Sequence, residues 1–114
     1  MKKIIKPWGF EEILEINKKY LLKKLYMKKN HRCSLQYHNK KKETIYVVSG
    51  KLKIFVGKSR NKLKSKIYKK GSNITIEPKV IHRMQAVTNC LYLEASTPQN
   101  SDVVRLSDDY NRTK

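Results

Sequence analysis

Gln36, His38 and Glu43 stand at short spacings just before an apolar run, and His82 follows far downstream. Gln36 and His38 are two residues apart, which on a β-strand places both side chains on one face. After the turn NKKK (39–42), an antiparallel partner strand can bring Glu43 opposite His38, and His82 can arrive from a further strand. Two imidazoles, an amide oxygen and a carboxylate suit zinc, or manganese, iron, cobalt or nickel. The pattern predicts a site for one divalent ion, with zinc as the first choice.

Short strand-like runs must position these side chains. In KLKIFVG (51–57), lysine and phenylalanine alternate with leucine, isoleucine and valine, which is the period of a half-buried strand. Four further short runs are rich in β-branched or aromatic residues: TIYVVSG (44–50), LKSKIYK (63–69), NITIEP (73–78) and LYLEAS (91–96). Glycine, serine and proline separate them. Many short strands predict an all-β barrel or sandwich.

The segment FEEILEINKKYLLKKLYM (10–27) fits two interpretations. Its apolar residues match one face of a helix tolerably well. Alternatively, Asn17-Lys18 forms a hairpin turn between two strands, which the many strands that follow favour. The polar residues from about 100 to 114 are predicted to form a C-terminal extension over the domain or fraying from it. With 114 residues, we expect one domain, spanning 1–114.

The chain is strongly basic, with 27 lysines and arginines, 9 acidic residues and a formal net charge of +18. Such a charge attracts phosphates, nucleic acids or acidic surfaces. The basic residues are mostly lysines scattered along the chain, whereas a dedicated nucleic-acid binder more often concentrates charge and uses arginine. We therefore expect solvated surface lysines, no specific nucleic-acid partner, and weak, salt-sensitive binding to duplex DNA.

The cysteine usage and the N-terminus indicate a compartment. Met1-Lys-Lys is followed by Pro7 and Trp8 rather than by a long apolar stretch, so we expect no signal sequence and a cytoplasmic protein. Cys33 and Cys90 are then interpreted as two buried thiols, with a single disulfide as the alternative. No apolar run approaches the roughly 20 residues of a membrane span.

The run from Asn30 to Gly50 resembles the first motif of the cupin family, which is a glycine, five residues, His-x-His, four residues, Glu, six residues and Gly. Asn30 stands at the leading glycine and Gln36 at the first histidine, while His38, Glu43 and Gly50 fall in place. Asparagine tolerates a positive φ better than most residues, so Asn30 is a mild change.

Residues 71–82 resemble the second cupin motif, which is Gly, five residues, Pro-x-Gly, two residues and His. Gly71 and His82 are kept, but Glu77 and Lys79 stand at the proline and second-glycine positions. We expect the loop at Lys79 to have another geometry, which could disturb the approach of His82.

Within the cupins, the chain resembles the small domain of type II phosphomannose isomerases. The segments that carry the resemblance are KPWG (6–9), CSLQYH (33–38), ETIYVVSG (43–50), HR (82–83) and DVVRLSDDYNR (102–112). Glutamine in place of the first cupin histidine is usual in that family. The resemblance implies a jelly-roll barrel, a homodimer, and a metal bound by Gln36, His38, Glu43 and His82.

Strand alternation predicts which neighbours point into the pocket. With Gln36 and His38 inward, Arg32 and Ser34 should also point inward, and Leu35 and Tyr37 outward. By the same rule, Met84 follows His82 inward and Arg83 points outward. Arg32, Ser34 and Arg105 are the predicted substrate-binding residues. Alternatively, Arg32 is a surface arginine and Arg105 forms an ion pair with Asp108 or Asp109.

The resemblance implies interconversion of mannose 6-phosphate and fructose 6-phosphate, with a small phosphorylated sugar as the ligand. A metal can polarise the carbonyl while a base moves a proton between neighbouring carbons. The sequence does not identify the base. Two other classes stay open: a non-catalytic module that binds a sugar phosphate or nucleotide sugar, and another metal-dependent cupin enzyme.

Overall fold

The computed structural model describes residues 2–111, which form eleven β-strands and no helix. The strands are β1 (Lys2–Lys6), β2 (Gly9–Ile16), β3 (Leu21–Met27), β4 (Leu35–His38), β5 (Glu43–Ser49), β6 (Lys51–Gly57), β7 (Lys64–Lys69), β8 (Asn73–Ile76), β9 (Ile81–Ala86), β10 (Cys90–Ser96) and β11 (Val103–Ser107). The predicted all-β fold is confirmed.

The strands form two antiparallel sheets. One has the order β1-β2-β3-β10-β5-β8 and the other the order β11-β4-β9-β6-β7. Neighbours in each sheet are often distant in sequence, as expected for the crossed connections of a jelly roll. The sheets bury a shared core whose largest enclosed side chains include Tyr92, Leu21, Met27, Ile45 and Leu52.

The segment 10–27 is a hairpin, so the hairpin interpretation is confirmed and the helix is wrong. β2 pairs with β3 in antiparallel register. Asn17 caps the turn, because its Oδ1 accepts the backbone N–H groups of Lys19 and Tyr20. On β3 every second residue is buried, which matches the two-residue period of a strand. In a helix, the same residues would be divided between two faces.

The loop before β9 keeps its turn geometry despite the substitution of its glycine. Lys79 adopts φ 68°, and Asn30 adopts φ 67° at the first motif. The backbone N–H of Lys79 donates to the His38 carbonyl at 2.6 Å, which ties this loop to the end of β4. One residue in the left-handed region costs only about 1–2 kcal/mol. The expectation that Lys79 would change the loop geometry is therefore wrong, and His82 reaches the interior.

β7 lies at an open sheet edge and carries exposed lysines. Lys64, Lys66 and Lys69 belong to this strand, which pairs with β6 along one side. Charged side chains, lysine above all, discourage edge-to-edge association of sheets. The local density of lysine here is thus explained by protection of an edge.

The described part of the C-terminal segment includes β11, an edge strand that pairs with β4. The predicted extension runs to residue 114, and its last three residues, 112–114, lie outside the described residues, as does Met1. Cys33 and Cys90 are both buried thiols. Residues 2–111 contain no helix that could cross a membrane.

Candidate metal centre

A cavity of about 220 Å³ opens between the two sheets. Its lining is rich in charged side chains. The charged residues outside the metal-ligand candidates are Lys6, Glu11, Lys23, Lys41, Glu94 and Arg105. Gln36, His38 and Glu43 also line this cavity, so the predicted ligands on β4 and β5 open onto the same space.

His38, Glu43 and His82 converge at one point, where His38 and Glu43 line the cavity and His82 is fully buried beside them. One ligand atom from each residue lies within 4.8 Å of the other two. Glu43 Oε1 lies 3.3 Å from His82 Nε2, and Glu43 Oε2 lies 3.7 Å from His38 Nε2. All three side chains are buried. β4 and β9 supply the imidazoles from one sheet, and β5 supplies the carboxylate from the other.

The hydrogen bond of His82 sets its tautomer. Nδ1 lies 2.9 Å from the Val80 carbonyl, which can only accept, so Nδ1 carries a hydrogen. In the neutral ring, the lone pair is then on Nε2, which points toward Glu43. This is the arrangement in which an outer partner orients a metal-binding histidine.

His38 is also held in a form suited to binding a metal. Burial lowers its pKa to about 4, although the charge of Glu43 opposes the shift. Neither ring nitrogen has a hydrogen-bond partner among the residues that the structure describes. A neutral, buried and unsatisfied imidazole is costly unless something binds its lone pair.

Glu43 supplies the negative charge of the cluster. Burial opposes its ionisation, but a His82 ring that carries a second proton and the charge of Lys41 would both lower its pKa below the ordinary value. An ionised carboxylate and two imidazole lone pairs therefore point at one another inside the protein. This donor set fits a divalent ion.

Gln36 lies next to this cluster. It pairs directly with His82 across β4 and β9 and lines the cavity. Its Oε1 accepts a hydrogen bond from Ser34 Oγ at 2.5 Å. Ser34 is fully buried and contacts Gln36, so the structure gives it a place behind the predicted ligand rather than in the cavity lining.

The inward orientation predicted for Arg32 is wrong. Its guanidinium binds the Asp109 carboxylate through two hydrogen bonds, Nε to Oδ2 at 2.6 Å and Nη2 to Oδ1 at 2.9 Å. Regular strand structure on β4 begins only at Leu35, and Arg32 forms an isolated bridge to Gln85. Alternation counted back from Gln36 therefore does not reach Arg32.

The side-chain orientations predicted for β4 and β9 agree only partly with the structure. Met84 lines the cavity, as predicted. Arg83 points to the other side but is buried, because Nε donates to the Cys33 carbonyl and Nη2 to the Ser107 carbonyl. Leu35, also predicted to point outward, is buried as well. The outer face of this sheet is therefore partly covered.

Arg105 lies in the cavity lining, opposite Gln36 on the neighbouring strand. The alternative ion pair with Asp109 is not formed, because that carboxylate is taken up by Arg32 and faces Arg83 at 3.9 Å.

Two buried ion pairs on the cavity wall were not predicted from the sequence. Lys41 contacts Glu94 and lies 3.4 Å from Glu43, and Lys23 lies 3.1 Å from Glu11. Burial raises the pKa of Glu94, and the charge of Glu43 adds to this shift. The general expectation of solvated surface lysines is therefore wrong for Lys41, which is buried. The alternation of LYLEAS could have found Glu94, since it shares a face with the buried Tyr92.

Comparisons with known proteins agree with this architecture. Residues 1–108 match the family described as mannose-6-phosphate isomerase C-terminal. No curated protein matches the chain in sequence.

Solved structures of low sequence identity share the fold. KdgF from Halomonas sp. matches with a TM-score of 0.77 and 12% identity, over 90% of this chain and 92% of that one. CapF from Staphylococcus aureus matches with a TM-score of 0.80 and 16% identity, over 93% of this chain and 34% of that one.

Oxalate decarboxylase from Bacillus subtilis, which has Mn(II) centres, matches with a TM-score of 0.80 and 18% identity, over 93% of this chain and 30% of that one. The chain thus spans about a third of the length of CapF and of this decarboxylase. At these identities the likeness is one of fold.

Proposed function

Because the chain belongs to the mannose-6-phosphate isomerase C-terminal family, we propose that it is a metal-dependent isomerase that interconverts mannose 6-phosphate and fructose 6-phosphate. The observation that carries the proposal is a cluster of metal-binding side chains on the wall of a small, charged cavity. His38, Glu43 and His82 would hold the ion, with the Gln36 amide oxygen as the fourth protein ligand.

A divalent ion at this site would polarise the substrate carbonyl and so acidify the neighbouring C–H group. The protein residues orient the sugar and exclude water. They also move the proton between the two carbons, a step for which the sequence identified no base.

The charge of the cavity favours an anionic sugar. Its lining has four basic side chains, Lys6, Lys23, Lys41 and Arg105, against three acidic ones, Glu11, Glu43 and Glu94. A divalent ion would raise the excess of positive charge further. In a partly dry cavity such an excess attracts an anion more strongly than it would in water.

The size of the cavity favours a small ligand. Its volume of about 220 Å³ lies below the roughly 300–1,000 Å³ of pockets that bind drug-sized molecules. A single sugar phosphate suits this space better than a nucleotide sugar does, which supports the isomerase over a nucleotide-sugar binding module.

Glu94 is the proposed base. It lines the cavity, and Lys41 links it to the ligand candidate Glu43. Burial raises the pKa of Glu94, which brings a carboxylate closer to the range where a general base works well. Glu11, the other cavity carboxylate outside the metal cluster, contacts Lys23 at 3.1 Å and Lys6 at 3.8 Å, whereas the lysine that contacts Glu94 also contacts the ligand candidate Glu43.

The test follows conversion and binding of mannose 6-phosphate in parallel, with the zinc-loaded wild type and with Glu94→Gln. We expect turnover in the wild type and a loss of about a hundredfold or more in the variant, as is typical for a general base. Substrate binding should persist in the variant. Glu15→Gln, which removes an exposed carboxylate at the end of β2, is the matched control.

The other outcomes contradict the proposal in different ways. Binding without turnover in the wild type would identify a non-catalytic module. Neither binding nor turnover would point to another cupin substrate. Full activity in Glu94→Gln would leave the isomerase standing and remove Glu94 as its base.

A further inference from the structure

Three side chains lie in a row across the wall that holds the metal cluster. Arg105 on β11 pairs with Gln36 on β4, and Gln36 pairs with His82 on β9. Residues directly opposite in antiparallel strands project from the same face. Arg105 therefore lies two strands from His82, at a backbone separation of about 10 Å.

The Arg105 guanidinium lacks a partner for one of its hydrogens. Its Nε is buried and has no hydrogen-bond partner among residues 2–111, although the side chain lines the cavity. Buried donors are nearly always paired in folded proteins. A donor left over at a cavity wall is where a ligand acceptor would bind, and arginine binds phosphate and carboxylate groups in a bidentate manner.

The strand that carries Arg105 has weak intrinsic support. β11 is an edge strand of five residues with a single neighbour, β4. Its register shifts between Arg105 and Ser107. Irregularities of this kind often re-aim a side chain next to a functional site, and a short edge strand opens easily unless other contacts hold it.

A carboxylate holds the N-terminal end of β11. Asp102 lies directly before the strand, and its Oδ2 accepts the backbone N–H groups of Lys40 at 2.7 Å and Lys41 at 3.0 Å. Those N–H groups belong to the turn between β4 and β5, which carry His38 and Glu43. This contact ties the strand to the segment that joins two metal-ligand candidates.

A second carboxylate holds the C-terminal end. Asp109 follows β11 and accepts both hydrogen bonds of the Arg32 guanidinium. Arg83 supports the same end through the Ser107 carbonyl and is itself bonded to the Cys33 carbonyl. The two aspartates therefore fix both ends of the strand, three residues before Arg105 and four residues after it.

We propose that Arg105 binds the anionic group of the substrate, and that Asp102 and Asp109 are positioning residues that hold β11 so that Arg105 faces the metal cluster. The inference rests on the proposed function for the identity of the sugar. The anion subsite itself can be tested with inorganic phosphate, which requires no turnover.

The first measurement is the affinity of the zinc-loaded protein for inorganic phosphate and for mannose 6-phosphate, by calorimetry. Arg105→Ala should weaken both affinities by about tenfold or more, the value of a charged hydrogen bond. Arg60→Ala removes the same charge from an exposed position and should leave both affinities within about twofold. Equal affinities in wild type and Arg105→Ala would overturn the proposal.

The second measurement asks whether substitution of the two aspartates strengthens or weakens phosphate binding. Asp109→Asn and Asp102→Asn each remove a negative charge, which on electrostatics alone would strengthen phosphate binding. The proposal requires the opposite, a loss of about three- to tenfold. In the Arg105→Ala background, the same substitutions should add nothing further, since the residue that they position is gone.

Stronger phosphate binding in the aspartate variants, or the same loss with and without Arg105, would overturn the positioning role. Glu15→Gln serves as the charge-matched control for them. Phosphate binding that depends on Arg105 in a protein without turnover would refute the isomerase and leave the subsite standing. Turnover combined with phosphate binding that does not depend on Arg105 would support the isomerase and refute the anion subsite.

Discussion

His82 and Glu43 face each other across the two sheets, with Nε2 3.3 Å from Oε1, although the Nδ1 hydrogen of His82 is engaged by the Val80 carbonyl. In the neutral ring, a lone pair on Nε2 therefore points at a carboxylate oxygen. Such a contact is favourable only with a cation between the two atoms or a proton on the ring. His38 adds a third donor to the same point.

The first prediction concerns metal stoichiometry. The wild type should bind about one divalent ion per chain, and His38→Ala combined with His82→Ala should abolish this binding, because two neutral imidazole ligands are lost. Elemental analysis after dialysis provides the measurement. His31→Ala, which changes a loop histidine bonded to the Lys29 carbonyl, is the control. Undiminished metal in the double variant would disprove the site.

The second prediction concerns Ser34, which acts on the metal through Gln36. Ser34→Ala removes the hydrogen bond to Gln36 Oε1 and should lower zinc affinity by about tenfold, as outer-shell substitutions do. Competition with a chelator measures the affinity, and Ser65→Ala on the exposed edge strand β7 is the control. Unchanged affinity would argue against Gln36 as a ligand.

The third prediction concerns pH. The pKa of His38 is lowered by burial to about 4 in the folded protein, whereas the unfolded chain takes up this proton near its ordinary pKa of about 6.5. Stability from the neutral ring is thus present above pH 6.5 and is lost as the pH falls toward 4. Between about pH 7.5 and pH 5.5, the metal-free protein should lose about 1.4 kcal/mol through this group.

Urea unfolding in the presence of EDTA measures this loss, and His38→Gln isolates it from other titrating groups. The free energy of unfolding of the variant should change less over the same interval than that of the wild type. Identical pH dependence in the two proteins would show that His38 titrates normally in the folded state.

The fourth prediction concerns Lys79. Its φ of 68° lies in the left-handed region, so Lys79→Gly should relieve strain and raise the free energy of unfolding by up to about 1 kcal/mol. Lys58→Gly, at an exposed position without a positive φ, should lower it by a similar amount. A loss of stability in Lys79→Gly would mean that its side chain, rather than its backbone, holds the loop.

The positions of several strands and the types of the metal-binding side chains were predictable from the sequence, whereas β1 and β11 were not predicted as strands. Alternation of apolar and polar residues marked β6, and the polar Asn17-Lys18 turn marked the hairpin of β2 and β3. These features depend on residues close together in the chain, so their period survives in the linear sequence. The spacing of Gln36, His38 and Glu43 is local in the same sense.

Contacts between distant segments required the tertiary structure. Arg32 turned away from the cavity because a carboxylate 77 residues later binds it, and alternation fails where regular strand structure has not yet begun. Lys41 is buried because Glu43 and Glu94 from two strands neutralise it. A lysine in a run of lysines is exposed by default, and only the fold determines which one meets a partner strong enough to offset its desolvation.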